Sequence, residues 1–168
     1  VGAGVDHVMR DPDLPRHLPI IRTTGPDMVQ RLREYVALHV LTHHRELAVT
    51  DAQQARAEWK QIVTPLASKR RVGIFAGPQG LSDFLARTDI LVSLLPLTNQ
   101  TRDILNASLF NELPRGARVI NAGRGGHLVE ADLIAALDNG QLGGATLDVF
   151  RTEPLPSDHP FWAHPKIR

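Results

Sequence analysis

Apolar residues recur at helical spacing at Met28, Val29, Leu32, Tyr35, Val36, Val40 and Leu41, behind Gly25 and Pro26, and predict a helix that runs to about His44. Its apolar face is wide, which points to burial against a domain or a second subunit. A second helix is expected from a cap at Thr50 or Asp51 to about Lys60, with Trp59 near its end, and residues 60–71 then read as a linker. Short apolar runs of strand type follow at Arg71–Phe75, Asp89–Leu95, Ala117–Asn121 and Ala145–Val149. Helical segments separate them: one over 81–87, and one over 106–113 ended by Pro114 and Gly116. Asp103 and Leu105 are a further possible helix start. The best-defined helix has Leu128, Leu133, Ile134 and Leu137 on one face, Glu130 and Asp132 near its first turn and Gly140 as its stop. Strands alternating with helices predict an α/β fold with a parallel sheet. Only about a dozen residues join the first two strands, the lower limit for a parallel crossover.

Polar groups gather where those strands end. Ala117–Asn121 empties into a Gly-rich turn that presents Arg124, and the last strand delivers Asp148 and then Glu153. Open α/β sheets display ligand-binding groups in this way, outside the carboxyl ends of their strands. By residue type alone Arg124 and Glu153 are equally a catalytic pair or an ion pair between strands. After Leu95 the loop P-L-T-N-Q-T offers the hydroxyls of Thr98 and Thr101 to a ligand, or to a helix cap. At the start, V-G-A-G-V-D-H-V breaks into a loop where Gly2 and Gly4 would let backbone amides approach an anion, or simply turn the chain. Arg10 to Thr24 reads as a connecting loop. His39 and His43 stand at the i, i+4 spacing of helical zinc ligands, but Val40 occupies the place where zincin chemistry needs Glu. They are expected to be partly exposed helix histidines, with no metal.

Composition narrows the classes. The 168 residues suffice for one good core, and 42% hydrophobic with 22% charged residues is ordinary globular usage. A net charge of +1 without long runs of one sign gives no footprint for nucleic acid or an anionic membrane, and no apolar run approaches a membrane span. With no cysteine, disulfides, thiolate catalysis and Cys-ligated zinc are excluded, which fits a cytoplasmic protein. Val1 in place of Met and a last residue, Arg168, in mid-phrase give the expectation that the sequence is cut at both ends.

Taken together, N-A-G-R-G-G-H-L-V-E, A-D-L-I-A-A-L-D-N-G-Q-L-G-G-A-T-L-D-V-F-R-T-E-P-L-P and H-P-F-W-A-H-P resemble the D-isomer-specific 2-hydroxyacid dehydrogenases, most closely the bacterial glyoxylate/hydroxypyruvate reductase branch. G-A-G-V-D-H-V, E-Y-V-A-L-H-V-L-T-H-H-R and D-I-L-V-S-L-L-P-L-T agree in order and type, so the resemblance covers nearly the whole chain. It implies a substrate domain and a dinucleotide domain, NADP or NAD as cofactor with NADP favoured, a small 2-oxo acid as substrate, and a homodimer. By motif it assigns Arg124 as the catalytic arginine and Glu153 as the carboxylate that orients the catalytic histidine. Asp148 would hold the nicotinamide carboxamide, and Leu95, Pro96 and Thr98 would line the nicotinamide-ribose end. The backbone at Ala3 and Gly4, with Arg124, would bind the substrate carboxylate.

Two departures accompany the match. The family continues R-V-G-I into G-x-G-x-x-G, a helix and a further strand, whereas here Ile74 is followed at once by Phe75, so a unit of about 30 residues or more is missing. Gly73, Gly77 and Gly80 have the wrong spacing for that fingerprint, and Pro78 removes an N–H from the turn. The family's catalytic histidine lies beyond the H-P-x-I phrase, and His127, His159 and His164 match noncatalytic positions. The expected fold is therefore a Rossmann-like, doubly wound parallel sheet, incomplete at its first βαβ unit. Residues 1–24 would be a remnant of the substrate domain and 25–168 the dinucleotide domain, with the junction near 74–75. The expected function is NAD(P)H-dependent reduction of glyoxylate or hydroxypyruvate, the missing segments lying outside these residues. The alternative is an inactive fragment serving as a structural or dimer-forming module.

Overall fold

The computed structural model describes residues 6–9, 11–21, 25–75 and 80–168. The chain divides into two compact units, Val1–Ala37 and Leu38–Arg168. In the first, helix α1 (Asp6–Met9) precedes helix α2 (Pro26–His44), which continues across the boundary. Ala3 and Gly4, named above for the substrate carboxylate, lie outside the described residues.

In the second unit α2 ends at His44 as its periodicity predicts. Helix α3 spans Leu47–Ala55 rather than a segment capped by Thr50 or Asp51. Its start is set by Glu46 in the left-handed conformation (φ 57°), not by a side-chain cap. Glu46 adopts that strained turn while its carboxylate pairs with Arg118 of the sheet and, at 3.6 Å, with Arg70. The helix stops before Trp59, where Gln53 turns inward and donates to the Lys60 carbonyl at 3.1 Å. Beyond it residues 58–66 form no regular element, and Trp59, Val63 and Leu66 stand in solvent.

Among the described residues four strands form one parallel sheet in the order β1-β2-β3-β4: β1 (Val72–Phe75), β2 (Ile90–Ser93), β3 (Ala117–Asn121) and β4 (Leu142–Leu147). The short crossover between the first two strands is made, with Val72 opposite Ile90 and Phe75 opposite Ser93. Its entrance is pinned by Asp89, which accepts from the Arg71 backbone N–H at 2.7 Å. Partial burial pushes the Asp89 carboxyl up, but the Arg71 hydrogen bonds and charge prevail and hold it below its ordinary value. β4 begins earlier than expected, at Leu142, because Gly143 and Gly144 pair like any strand residue while adding nothing to an apolar pattern.

Helices α4 (Leu81–Ala86), α5 (Ala107–Glu112) and α6 (Glu130–Asp138) connect successive strands, so the sheet winds in one direction only. Their apolar residues, among them Leu85, Phe110, Leu133 and Leu137, bury Phe75, Leu91, Val119 and Ala145 from alternate strand positions in one core. The possible helix at Asp103 is instead a turn. Leu105 bridges to Leu128, and α5 starts at Asn106, whose side chain caps Leu109 N–H at 3.1 Å. The opposite face buries Ile90, Val92 and Ile120. There His43, from the end of α2, meets Thr146 of β4 with its Nε2 3.0 Å from the hydroxyl. His39 is partly exposed as expected, but His43 is buried, since the helix end turns under the sheet. Past β4 the segment 166–168 adds parallel pairing: Ala145 N–H donates to Lys166 and Leu147 N–H to Arg168, at 2.9 and 2.8 Å.

Candidate functional site

The carboxyl ends of β2, β3 and β4 are locked into one surface. Ala122 N–H donates to the Ser93 carbonyl at 3.1 Å, and Asp148 N–H to the Asn121 carbonyl at 3.0 Å, which carries the ladder one step past the strands. Asn121 is fully buried, and its amide closes the turn it enters, accepting from Gly123 N–H at 3.3 Å and donating to the Arg124 carbonyl at 3.1 Å. His127, also fully buried, accepts the Arg124 N–H on Nδ1 at 3.2 Å. The backbone of Arg124 is thus held from both sides, and its guanidinium donates to the Gly123 carbonyl at 2.7 Å.

Gly125 brings this turn against the segment that carries Glu153. A Cβ at Gly125 would lie 1.9 Å from the Phe150 carbonyl, so only glycine permits the contact. On the far side Arg151 donates through Nε to the Leu128 carbonyl at 2.8 Å and pairs with Asp103. Glu153 is exposed and its carboxylate accepts from Phe150 N–H at 2.8 Å, folding back on its own loop. Arg124 and Glu153 both lie on loops past strand ends, not on strands.

Leu95 is buried beside the same turn, its carbonyl 3.0 Å from where a Gly123 Cβ would be. Pro96 and Thr98 are exposed just beyond it. The Thr98 and Thr101 hydroxyls lie 3.1 Å apart, each accepting the other residue's backbone N–H, and Thr101 donates to the Pro96 carbonyl at 2.7 Å. They cap a turn. Asp148 is exposed at the end of β4, and its charge raises the proton affinity of His39. Burial outweighs it, and with Arg168 opposing as well His39 is held below its ordinary value. Sequence reading picked out Arg124, Leu95, Pro96, Thr98, Asp148 and Glu153, and these share one end of the sheet. It missed Asn121, Gly125, His127 and Arg151, which fix that end. Asn121, Gly125 and His127 stood within the N-A-G-R-G-G-H phrase.

A parallel α/β sheet that gathers polar groups on loops at its carboxyl ends, around a glycine-locked arginine turn, has the arrangement of the open α/β ligand-binding class. The comparisons are more specific: the family model described as "D-isomer specific 2-hydroxyacid dehydrogenase, NAD binding domain" matches residues 76–168. The chain belongs to that family. It is 36% identical to glyoxylate/hydroxypyruvate reductase A of Yersinia enterocolitica over 208 aligned positions, covering 99% of this chain and 66% of that protein. The corresponding Serratia proteamaculans protein is 35% identical with the same coverage. Among solved structures, an NADPH-dependent glyoxylate/hydroxypyruvate reductase from Sinorhizobium meliloti, in complex with NADP and sulfate, superposes with a TM-score of 0.92 at 38% identity, over 99% of this chain and 65% of that one. A D-isomer specific 2-hydroxyacid dehydrogenase from Xanthobacter autotrophicus Py2, in complex with NADPH and MES, gives 0.91 at 35% identity, over 99% and 64%. The chain therefore spans slightly less than two thirds of the length of these relatives.

Proposed function

We propose that this chain forms the dinucleotide-domain part of a cytoplasmic, homodimeric reductase that converts glyoxylate, hydroxypyruvate or a similar small 2-oxo acid to the 2-hydroxy acid with NADPH or NADH. Residues 25–168 are that domain and residues 1–24 the end of the substrate domain. The observation that carries the reading is Arg124, held by Asn121 and His127 at the shared carboxyl end of β2, β3 and β4. A guanidinium fixed there pairs with the substrate carboxylate and polarises the neighbouring carbonyl, stabilising the negative charge that develops on its oxygen. The resemblance also assigns the backbone at Ala3 and Gly4 to the substrate carboxylate; both lie outside the described residues.

The residues present fit the nicotinamide end of a dinucleotide. Asp148 offers an exposed acceptor for a carboxamide, and Leu95, Pro96 and Thr98 offer an apolar and polar edge beside it. When bound, the nicotinamide supplies the hydride. Glu153 orients the protonating histidine and favours its charged form. By resemblance that acid lies beyond the H-P-K-I phrase. His127 is fully buried, and the Nε2 atoms of His159 and His164 face Glu130 at 3.4 Å and Asp138 at 3.3 Å, which supports leaving them out of the proton transfer. The solvent-exposed Trp59, Val63 and Leu66 support a second copy as partner. The test is glyoxylate-dependent oxidation of NADPH, with Arg124→Ala expected to lower kcat/KM by about a thousandfold. Undiminished turnover in that variant would sink the assignment.

A further inference from the structure

The two ends of the sheet are not equally equipped for a dinucleotide. In the doubly wound dinucleotide fold six strands run 3-2-1-4-5-6, and the cofactor lies across two mononucleotide-binding halves. The order β1-β2-β3-β4 found here corresponds to 1-4-5-6. Among the described strands β1 pairs with β2 alone, and its Val72 and Ile74 are 44% and 56% exposed where a strand 2 and its helix would cover them. The alignment with the Yersinia relative runs over about 40 more positions than this chain has residues, and the family match begins at residue 76, directly after β1.

The β1-to-β2 connection does not replace the lost cradle. A Cβ at Gly73 would lie 2.6 Å from Phe84 and Thr88, so this glycine admits α4 onto the strand. Helix α4 is six residues long, carries Asp83 in its first turn and has no side-chain cap, which disfavours a phosphate there. The link A-G-P-Q-G before it includes Pro78, which has no N–H to give.

Resting on the reductase reading above, we propose that these 168 residues recognise only the nicotinamide ribose phosphate half of the cofactor. The adenosine half, with or without its 2′-phosphate, meets no receiving surface among the described residues and stays in water. Joining a second half raises affinity only when both halves can be seated at once. Reduced nicotinamide mononucleotide then binds as well as the full dinucleotides, and NADH is not distinguished from NADPH.

The experiment is an equilibrium titration of this chain, by calorimetry, with reduced nicotinamide mononucleotide, NADH and NADPH, followed by competition with adenosine 2′,5′-bisphosphate. The expected result is three Kd values within about threefold of one another, and no displacement by the bisphosphate at about a hundredfold excess. NADPH binding at least about tenfold tighter than the mononucleotide, or displacement by the bisphosphate, would overturn the inference and leave the reductase reading in place. Failure of all three nicotinamides to bind would overturn both.

Discussion

β1 and β3 belong to one sheet, yet they end in opposite conditions. At the end of β3 every step is tied: Asn121, Gly123, Arg124 and His127 are cross-linked by hydrogen bonds, and Gly125 touches the Phe150 backbone. Among the described strands β1 is tied to β2 alone, and it shows Val72 and Ile74 to solvent. Buried polar clips cost stability when a partner is removed, whereas exposed apolar side chains make few contacts to lose. The difference teaches that function-bearing geometry in this chain depends on the β2–β4 side, and that the exposed face of β1, at Val72 and Ile74, tolerates change.

That contrast breaks most sharply at Gly125. Gly125→Ala forces the Arg124 turn away from Phe150, because the overlap is with backbone that cannot swing aside. A loss of about 4 kcal/mol in urea unfolding is expected. Acid is the next lever. Burial, followed by the charges of Arg118, His39 and Arg168, lowers His43 from 6.5 to about 4. The unfolded chain takes up that proton near pH 6.5 and the folded chain only near 4, so stability is full above about pH 6.5 and falls as the pH drops to about 4. Up to about 3 kcal/mol is lost over that window, and His43→Gln should flatten the dependence measured by denaturant midpoint against pH. A smaller effect is expected at His127, where His127→Ala leaves the Arg124 N–H without its acceptor. About 2 kcal/mol of stability is lost. In the active holoenzyme kcat would fall more than KM rises, a split that distinguishes misplacement of Arg124 from general loosening. At the other end of the scale, Ile74→Thr on β1 should change stability by less than about 0.5 kcal/mol while raising solubility. A large loss there would show that β1 is covered in solution.

Elements with a strong apolar period are legible from the sequence. Helix α2 and helix α6 fall where their patterns place them, but only α6 buries its apolar face, through Leu133, Ala136 and Leu137; the buried residues of α2 are Thr42, His43 and His44, while Val29, Leu38 and Leu41 are exposed. The start of α3 is not legible, because it depends on Glu46, whose left-handed turn accompanies pairing with Arg118, 72 residues further on. The start of β4 is hidden as well, since two glycines remove a strand from any hydrophobic pattern. The site is legible as motif, through Arg124, Asp148 and Glu153, but not as mechanics. Neither the acceptor role of His127 nor the need for glycine at 125 has a local signature, since each is defined by where another piece of backbone arrives.

Trp59 and Trp162 are the only indoles in the sequence, and both face solvent, the latter donating to the Pro156 carbonyl at 2.8 Å. Their emission is therefore already close to that of an unfolded chain, red-shifted and open to collisional quenchers. Melting of the buried sheet passes almost unseen in tryptophan fluorescence, and circular dichroism is the signal that tracks it. The same optical quiet makes Trp59 a selective reporter, because a blue shift or loss of quenching at that residue registers a second molecule settling on its exposed segment while the core stays unchanged.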